Sequence, residues 1–171
     1  MNTLEDDIEA KIQESPGVQT NETLPSTSEQ EVEKVVQSMV ENPQSANLQD
    51  TGLRAIAKFG PSLTNYRKPD GLVEAILYAM EGFCEDARIQ DHGCRAILVT
   101  SLCPNILRLF SERGALDVVS RSSRAFATNV NLQEQVMAVF ERFSAVGDYV
   151  CRLQESGSVE RITGVMKAHG A

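Results

Sequence analysis

The sequence contains no tryptophan, and aromatic residues make up only 5% of its 171 residues. It also lacks a run of about 18 apolar residues, the length that a membrane-spanning helix needs. Its start, MNTLEDDIEAKIQ, has neither the basic region nor the apolar core of a secretory signal, and it is too acidic for a mitochondrial presequence. We therefore expect a cytoplasmic protein that is neither secreted nor bound to a membrane.

Residues that commonly carry chemistry are also scarce. The four cysteines lie in apolar helical runs without a CxxC pair, which indicates buried thiols in a reducing compartment. The two histidines, His92 and His169, are far apart in the chain, and His92 is expected on the surface or between repeats. No nucleotide-binding, nucleophile-elbow or zinc-protease motif occurs. The sequence thus predicts no metal, no cofactor and no enzymatic activity.

The negative charge is concentrated at the beginning of the chain. Residues 1–31 carry eight acidic side chains against one lysine, whereas the whole chain has a net charge of −8. Residues 1–28 are predicted to form an acidic, mostly disordered arm, with a short helix whose apolar side is Leu4, Ile8 and Ile12. The nearly neutral remainder has no dense basic cluster of the kind that nucleic-acid binding requires.

The remainder of the chain repeats itself at an interval of about 43 residues. Gly71, Gly114 and Gly157 are 43 residues apart at each step, and Pro61 and Pro104 keep the same interval. Glutamines recur 19 residues after the start of each copy, and methionines recur nine residues after it, with Ser123 as the exception. The equivalent glutamines are Gln49, Gln90 and Gln133. A repeat of this length is typical of a helical solenoid.

Each copy divides into three helical segments, and no strand signal is present. The core positions of the longest segment match between copies: Leu48, Ile89 and Leu132; Ile56, Ile97 and Phe140; Phe59, Thr100 and Phe143. Gly52 and Gly93 lie between these positions and are expected to let a neighbouring helix approach closely, whereas the third copy has Val136 there. The short segment begins at Pro61 or Pro104, because proline suits the first helical turn.

This pattern resembles the armadillo repeat family, through the words LQDTGLRAIAKF, IQDHGCRAILVT, LQEQVMAVFERF and SERGALDVV. The resemblance implies an all-α, right-handed armadillo-like solenoid of about three repeats plus a partial fourth. The predicted repeat domain covers residues 29–171, divided into 29–69, 70–113, 114–156 and the partial copy 157–171. A HEAT array is the nearest alternative fold, but the division into three helices favours armadillo.

In armadillo proteins the third helix of each repeat lines a concave groove, where family members that bind basic peptides carry Trp and Asn. The Trp positions correspond here to Arg54, Arg95 and Ala138, and the Asn positions to Lys58, Val99 and Arg142. The resemblance therefore disfavours a nuclear-import role. The residues present instead form a partial basic row of Arg54, Lys58, Arg95 and Arg142, to which Arg121 and Arg124 on a second helix are added as partner contacts. Guanidinium groups favour carboxylates or phosphates on a partner.

The sequence therefore predicts a non-catalytic protein-binding or scaffold module in the cytoplasm, with an association to the cytoskeleton as one setting. Its expected partners are proteins with acidic segments, and the acidic arm is a competing occupant of the basic row. The alternative is a small structural subunit of a large assembly that contacts its neighbours through the solenoid ends. Such end contacts, including self-association, would use Val159, Ile162, Val165 and Met166 in the last helix.

Overall fold

The computed structural model describes residues 27–60, 63 and 66–145, and this part of the chain is all-α. It contains seven helices and no strand. The helices are α1 (Thr27–Glu41), α2 (Ala46–Phe59), α3 (Pro69–Gly82), α4 (Ala87–Thr100), α5 (Pro104–Glu112), α6 (Ala115–Ala125) and α7 (Val130–Ser144). The all-α expectation is confirmed for these residues.

The helices pack in two rows. In one row α3 lies against α1 and α6, and in the other α4 lies against α2 and α7. Helices that follow each other in the chain contact each other across the two rows: α1 pairs with α2, α3 with α4, and α6 with α7. The short α5 packs on α3 and connects to α6. The most extensive contacts are those within the row of α2, α4 and α7. These three helices therefore present a connected surface.

Local signals explain where several helices begin. Asp86 caps α4 by accepting the backbone N–H groups of Arg88 and Ile89, and Asn129 caps α7 at Leu132. Pro104 occupies the first turn of α5, as the sequence predicts. The helix α3 begins at Pro69, two residues before Gly71, where the prolyl ring fixes φ at a helical value.

Gly114 has a different structural role from Gly71. It is the residue before α6 and adopts a left-handed conformation with φ of 76°. A residue with a side chain would be strained there, whereas glycine is not. Gly114 thus allows the sharp turn from α5 into α6.

The three sets of matched core positions predicted from the sequence are largely buried. Ile56, Ile97 and Phe140 are all inaccessible or nearly so. At the other two positions of the ladder, the residues of α4 and α7 are buried, but Leu48 and Phe59 of α2 are only half-buried.

The three equivalent glutamines make the same pair of hydrogen bonds. The Nε2 of Gln90 donates to the carbonyl oxygens of Met80 (2.7 Å) and Phe83 (3.0 Å) at the end of α3. Gln49 does the same at the end of α1, and Gln133 at the end of α6. The last carbonyls of a helix lack intrahelical donors, so each buried amide satisfies two of them. Each glutamine therefore ties the start of one helix to the end of the preceding one.

The glycines of α2 and α4 permit the close approach predicted for them. A Cβ on Gly52 would overlap the thioether of Met39, and a Cβ on Gly93 would overlap that of Met80. In the third helix pair the large and small residues are exchanged, with Ser123 at the Met position and Val136 at the Gly position. Both are buried. The two departures from the sequence pattern therefore belong together: a smaller residue on α6 is matched by a larger residue on α7.

Ion pairs join α3 to α6 and to the residue that follows α5. Arg113 pairs with Asp70 (2.7 Å) and Glu74, and Arg121 pairs with Glu81 (2.6 Å). These groups are largely exposed, so each pair contributes about 1 kcal/mol or less. These pairs therefore help to specify how α3 aligns with its neighbours, but they contribute little to the free energy of folding.

One cysteine differs from expectation. Cys94 and Cys103 are buried, but Cys84 is exposed in the turn between α3 and α4. That turn follows Gly82, where α3 ends, so the apolar run around Cys84 does not continue as a packed helix.

Several predictions concern residues outside the described part. They are the acidic arm, Pro61, Cys151, the partial fourth copy, and the end contacts Val159, Ile162, Val165 and Met166.

Candidate functional site

The candidate site is the outer surface of α2, α4 and α7, where most of the predicted basic row lies. Arg54 and Lys58 are one turn apart on α2, and both are exposed. Arg95 is exposed at the place on α4 that is equivalent to Arg54 on α2. Because α2 and α4 pack directly against each other, the structure brings Arg54 and Arg95 onto one surface.

Arg95 is held by an acidic residue one turn before it. Its Nε lies 3.0 Å from Oδ2 of Asp91, a side chain that is mostly buried. This contact uses the Nε side of the guanidinium and leaves the edge formed by the two terminal nitrogens for another acceptor. Arg95 is thus oriented to bind a carboxylate or phosphate in bidentate geometry.

A recess of about 200 Å³ lies beside Arg95, between the beginnings of α4 and α7. Its lining consists of Ala87, Arg88, Asp91, His92, Arg95, Asn129 and Asn131, which are all polar or charged residues except Ala87, although carbon atoms make up much of its surface. Arg88, Arg95 and Asn131 supply hydrogen-bond donors at this lining, while the carboxylate of Asp91 already engages Arg95. The recess is therefore a candidate place for one anionic group.

His92 connects α4 to α2 at the edge of this recess. Its Nδ1 lies 2.6 Å from Oδ1 of Asp50, and both side chains are mostly buried. Asp50 and Asp91 follow the equivalent glutamines Gln49 and Gln90 directly, so each helix places a carboxylate at the same position. The expectation that His92 lies between repeats agrees with this contact.

Arg88 has an acidic neighbour as well. Its Nη2 lies 3.2 Å from Oδ2 of Asp86. The hydrogen bond from Arg88 and the two backbone N–H groups at the start of α4 hold the pKa of Asp86 below its usual value, despite partial burial. Asp86 therefore stays ionised near neutral pH and keeps α4 capped.

The remaining predicted residues are more dispersed. Arg142 is half-buried on α7, at the place equivalent to Lys58. Arg121 and Arg124 are exposed on α6, which belongs to the other row of helices, and Arg121 is engaged by Glu81. Among the described residues, no ion pair involves Arg54, Lys58, Arg124 or Arg142. These four cations are therefore open to a partner within that part of the chain.

Two apolar residues at the surface were missed by the sequence analysis. Val40 on α1 and Tyr78 on α3 are exposed and line one groove with Met39, Pro43 and Ala75. A signal for Tyr78 was present, since Glu74, Tyr78 and Glu81 share one face of a helix at intervals of four and three residues. The two carboxylates mark that face as exposed to solvent.

Within the residues that the structure describes, no group of histidine, cysteine and acidic side chains could hold a metal ion. No helix of that part is long and apolar enough to cross a membrane. Comparisons of the chain with protein-family models, with curated proteins and with solved structures found no match.

Proposed function

We propose that this protein is a non-catalytic protein-binding module built as a right-handed, armadillo-like solenoid. The observation that carries the proposal is the recurrence of one set of contacts in three helix pairs. In each pair a buried glutamine of the second helix donates to two carbonyls at the end of the first. The succession of α2, α4 and α7 in one row supports the stacked arrangement.

The partner class is a protein segment rich in carboxylates. Arg54 and Lys58 are exposed without an ion pair in the described part, and Arg95 presents a preoriented guanidinium beside the polar recess. A rigid row of helices loses little conformational freedom on binding, which favours association with an extended segment. Such a segment would lie across α2 and α4, with one acidic side chain in the recess.

Nucleic acid is a poor fit for the same surface. Asp50, Asp91 and Glu134 stand at equivalent positions on α2, α4 and α7, close to the basic residues. Asp50 and Asp91 are mostly buried, but their charge offsets that of the few nearby cations, and the closely spaced phosphates of a nucleic acid need a dense run of basic residues. A peptide with spaced acidic residues needs fewer cations. We propose a cytoplasmic setting, with the cytoskeleton as one location of the partner.

The test reverses the charges of Arg54, Lys58 and Arg95 to Glu in the full chain. The probe is a fluorescent peptide of alternating glutamate and serine, and its binding is measured by anisotropy at low and at physiological salt. If each exposed charge contributes about 0.5 kcal/mol or more, the variant loses at least tenfold in affinity. The same variant and the unaltered chain serve as baits in pull-down mass spectrometry. Partners that bind through the basic row should be lost from the variant.

Arg108→Glu is the matched control. Arg108 is an exposed arginine on α5, paired with Glu112 (2.6 Å), away from the row of α2, α4 and α7. Its reversal should leave probe binding unchanged. Equal weakening by Arg108→Glu, or full binding by the triple variant, would contradict the proposed site. Circular dichroism confirms that all variants remain helical.

A second candidate is a structural subunit that contacts neighbours through the ends of the stack. The half-burial of Leu48 and Phe59 favours it, because their equivalents on α4 and α7 are buried, so α2 leaves apolar surface that a neighbouring molecule could cover. Mass that increases with protein concentration in sedimentation would support end contacts. Retention of a partner by the triple-reversed variant would indicate that this partner binds at the ends of the stack.

A further inference from the structure

A second surface of the molecule has the properties of a docking site. The end of α1, the turn after it and the middle of α3 enclose a groove of about 280 Å³. Its apolar lining consists of Met39, Val40, Pro43, Ala75 and Tyr78. Val40 is 59% exposed and Tyr78 is 68% exposed, although both are large apolar side chains. Exposed aromatic and aliphatic groups that share one groove are common at binding sites.

The apolar pair is specific to this place in the chain. The positions equivalent to Tyr78 are Gln37 on α1 and Arg121 on α6, and those equivalent to Val40 are Glu81 and Arg124. The same helical face is therefore polar in the other helix pairs. Exposure of Val40 and Tyr78 is not a general feature of the fold and requires its own explanation.

Charged side chains of both signs border the groove. Arg121 reaches Glu81, which lies one turn after Tyr78 on α3, and Arg124 lies one turn further along α6. Glu41 follows Val40 at the end of α1. The carboxylate of Glu74, which also lines the groove, is neutralised by Arg113. An occupant with an apolar stripe, acidic groups toward α6 and a basic group toward α1 would be complementary.

Residues 1–14 of the same chain have this chemistry. Leu4, Ile8 and Ile12 are spaced so that a helix would align them in one stripe. Glu5 and Glu9 would flank one side of that stripe, and Lys11, one turn after Asp7, would flank the other. We propose that this segment folds back and docks as a short amphipathic helix in the groove between α1 and α3.

The connection is long enough for this arrangement. Residues 15–26 separate the segment from Thr27, where α1 begins. A flexible chain of that length has a typical end-to-end distance of roughly 20 Å. The groove begins at Met39, which is about 18 Å along α1 at the rise of an α-helix. The span and the reach are therefore similar.

Docking within the chain regulates access to the groove. A tethered segment acts at an effective concentration on the order of 1 mM, so weak intrinsic binding is enough to keep the groove occupied. An external helix with the same apolar and charged pattern would have to displace it. The acidic residues of the segment are then engaged near α6 and do not compete for the basic row on α2 and α4.

The experiment uses the absence of tryptophan from the chain. Ile8→Trp in the full-length protein introduces a single indole in the centre of the stripe. In the docked segment its emission is shifted to shorter wavelength, and acrylamide quenches it at least about threefold less than free N-acetyltryptophanamide. Adding Val40→Ser and Tyr78→Ser should expose the indole, because the apolar walls of the groove are lost.

Three variants make the outcome decisive. Leu102→Ser, at a site that is 52% exposed elsewhere on the molecule, should leave the indole protected. The triple reversal of Arg54, Lys58 and Arg95 should also leave it protected. Loss of protection in that variant would place the segment on the basic row and overturn the proposal. An indole as accessible as the free compound, protection that survives Val40→Ser with Tyr78→Ser, or protection that grows with protein concentration would overturn it equally.

Discussion

At the scale of single residues, the buried glutamine amides are the most informative feature of the structure. An unpaired polar side chain in the interior is costly, so a buried Gln needs partners for its amide group. Gln90 is almost fully buried and finds two carbonyl acceptors at the end of α3. The sequence shows that the glutamine recurs, and the structure gives the physical reason for it.

Gln90→Met removes both hydrogen bonds and nearly preserves the volume of the side chain. We expect the free energy of unfolding to fall by about 2 kcal/mol, because the buried carbonyl of Met80 loses the Gln90 donor and that of Phe83 keeps only the backbone N–H of Asp86. Urea denaturation monitored by circular dichroism measures the change. Gln37→Met is the control, since Gln37 is exposed and its amide bonds to the exposed Glu41, and it should change stability by less than about 0.5 kcal/mol. Equal effects at the two positions would show that the amide contacts do not stabilise the pair.

The cysteines provide a second prediction at this scale. Burial, with a smaller contribution from the negative charge of Asp91, raises the pKa of Cys94 from 9.0 to about 12. Its thiolate is therefore nearly absent from the native protein at pH 8, whereas Cys84 is exposed. Iodoacetamide at pH 8 should modify Cys84 and leave Cys94 unmodified until the protein unfolds, as read by peptide mass spectrometry.

The same shift of the Cys94 pKa has a consequence for stability in alkali. The unfolded thiol ionises near pH 9, while the folded thiol keeps its proton to about pH 12. Unfolding releases that proton, so the native state loses stability as the pH rises through this window. Early alkylation of Cys94 under native conditions would contradict the burial of its side chain.

At the scale of helices, the spacing within each pair depends on one large and one small residue. Met80 of α3 fills the space that Gly93 of α4 leaves open. In the third pair the space is divided differently, between Ser123 and Val136, and Ser123 also donates its hydroxyl to Gln133 (2.9 Å). Both solutions fill the same junction between two helices.

This equivalence predicts a strong coupling between positions 80 and 93. Met80→Ser should create a cavity, and Gly93→Val should overlap Met80; each change should destabilise the protein by about 2 kcal/mol. The double variant has the same two residues as the third pair. Its loss of stability should therefore be roughly 2 kcal/mol smaller than the sum of the two single losses. Chemical denaturation of the four proteins gives the coupling energy. Met80→Ser with Gly52→Val is the control, and its effects should add because Gly52 contacts Met39 instead.

The sequence predicts the helices and much of the core well, because apolar spacing and terminal proline or glycine report on local structure. Pro104 at the start of α5 and the buried ladder of Ile56, Ile97 and Phe140 are examples. Properties that depend on contacts between distant residues were not predictable. The bond from His92 to Asp50 joins two helices and requires knowledge of how they pack, whereas the Asp91 contact of Arg95 is a pair four residues apart on one helix, which the sequence spacing already permits. Tyr78 is an intermediate case, since its carboxylate neighbours indicated exposure but not the groove beside it.

At the scale of the whole molecule, the two rows make stability depend on position in the stack. The helix α4 packs against both α2 and α7, whereas α2 packs within its row against α4 alone in the described part. Structures in which each unit contacts only its neighbours unfold from the less supported units. We therefore expect the first helix pair to open before the second.

Native-state hydrogen exchange tests this expectation at matched positions. Ile56 and Ile97 occupy equivalent places on α2 and α4, and both side chains are fully buried. The amide of Ile97 should exchange more slowly than that of Ile56, because α4 has a neighbour on each side. Similar protection of the two amides would indicate that the described helices open as one cooperative unit.

The compensated exchange at Met80/Gly93 and Ser123/Val136 also bears on how such a chain can evolve. Recombination between gene segments that encode similar units is a common route to longer or shorter arrays. A crossover within the 13 residues that separate the partners would join a methionine to a valine, or a serine to a glycine. In the first product the methionine and valine side chains would overlap, and in the second a cavity would remain between the helices. Viable exchanges should therefore fall in the connections between helix pairs, where whole units are inherited intact.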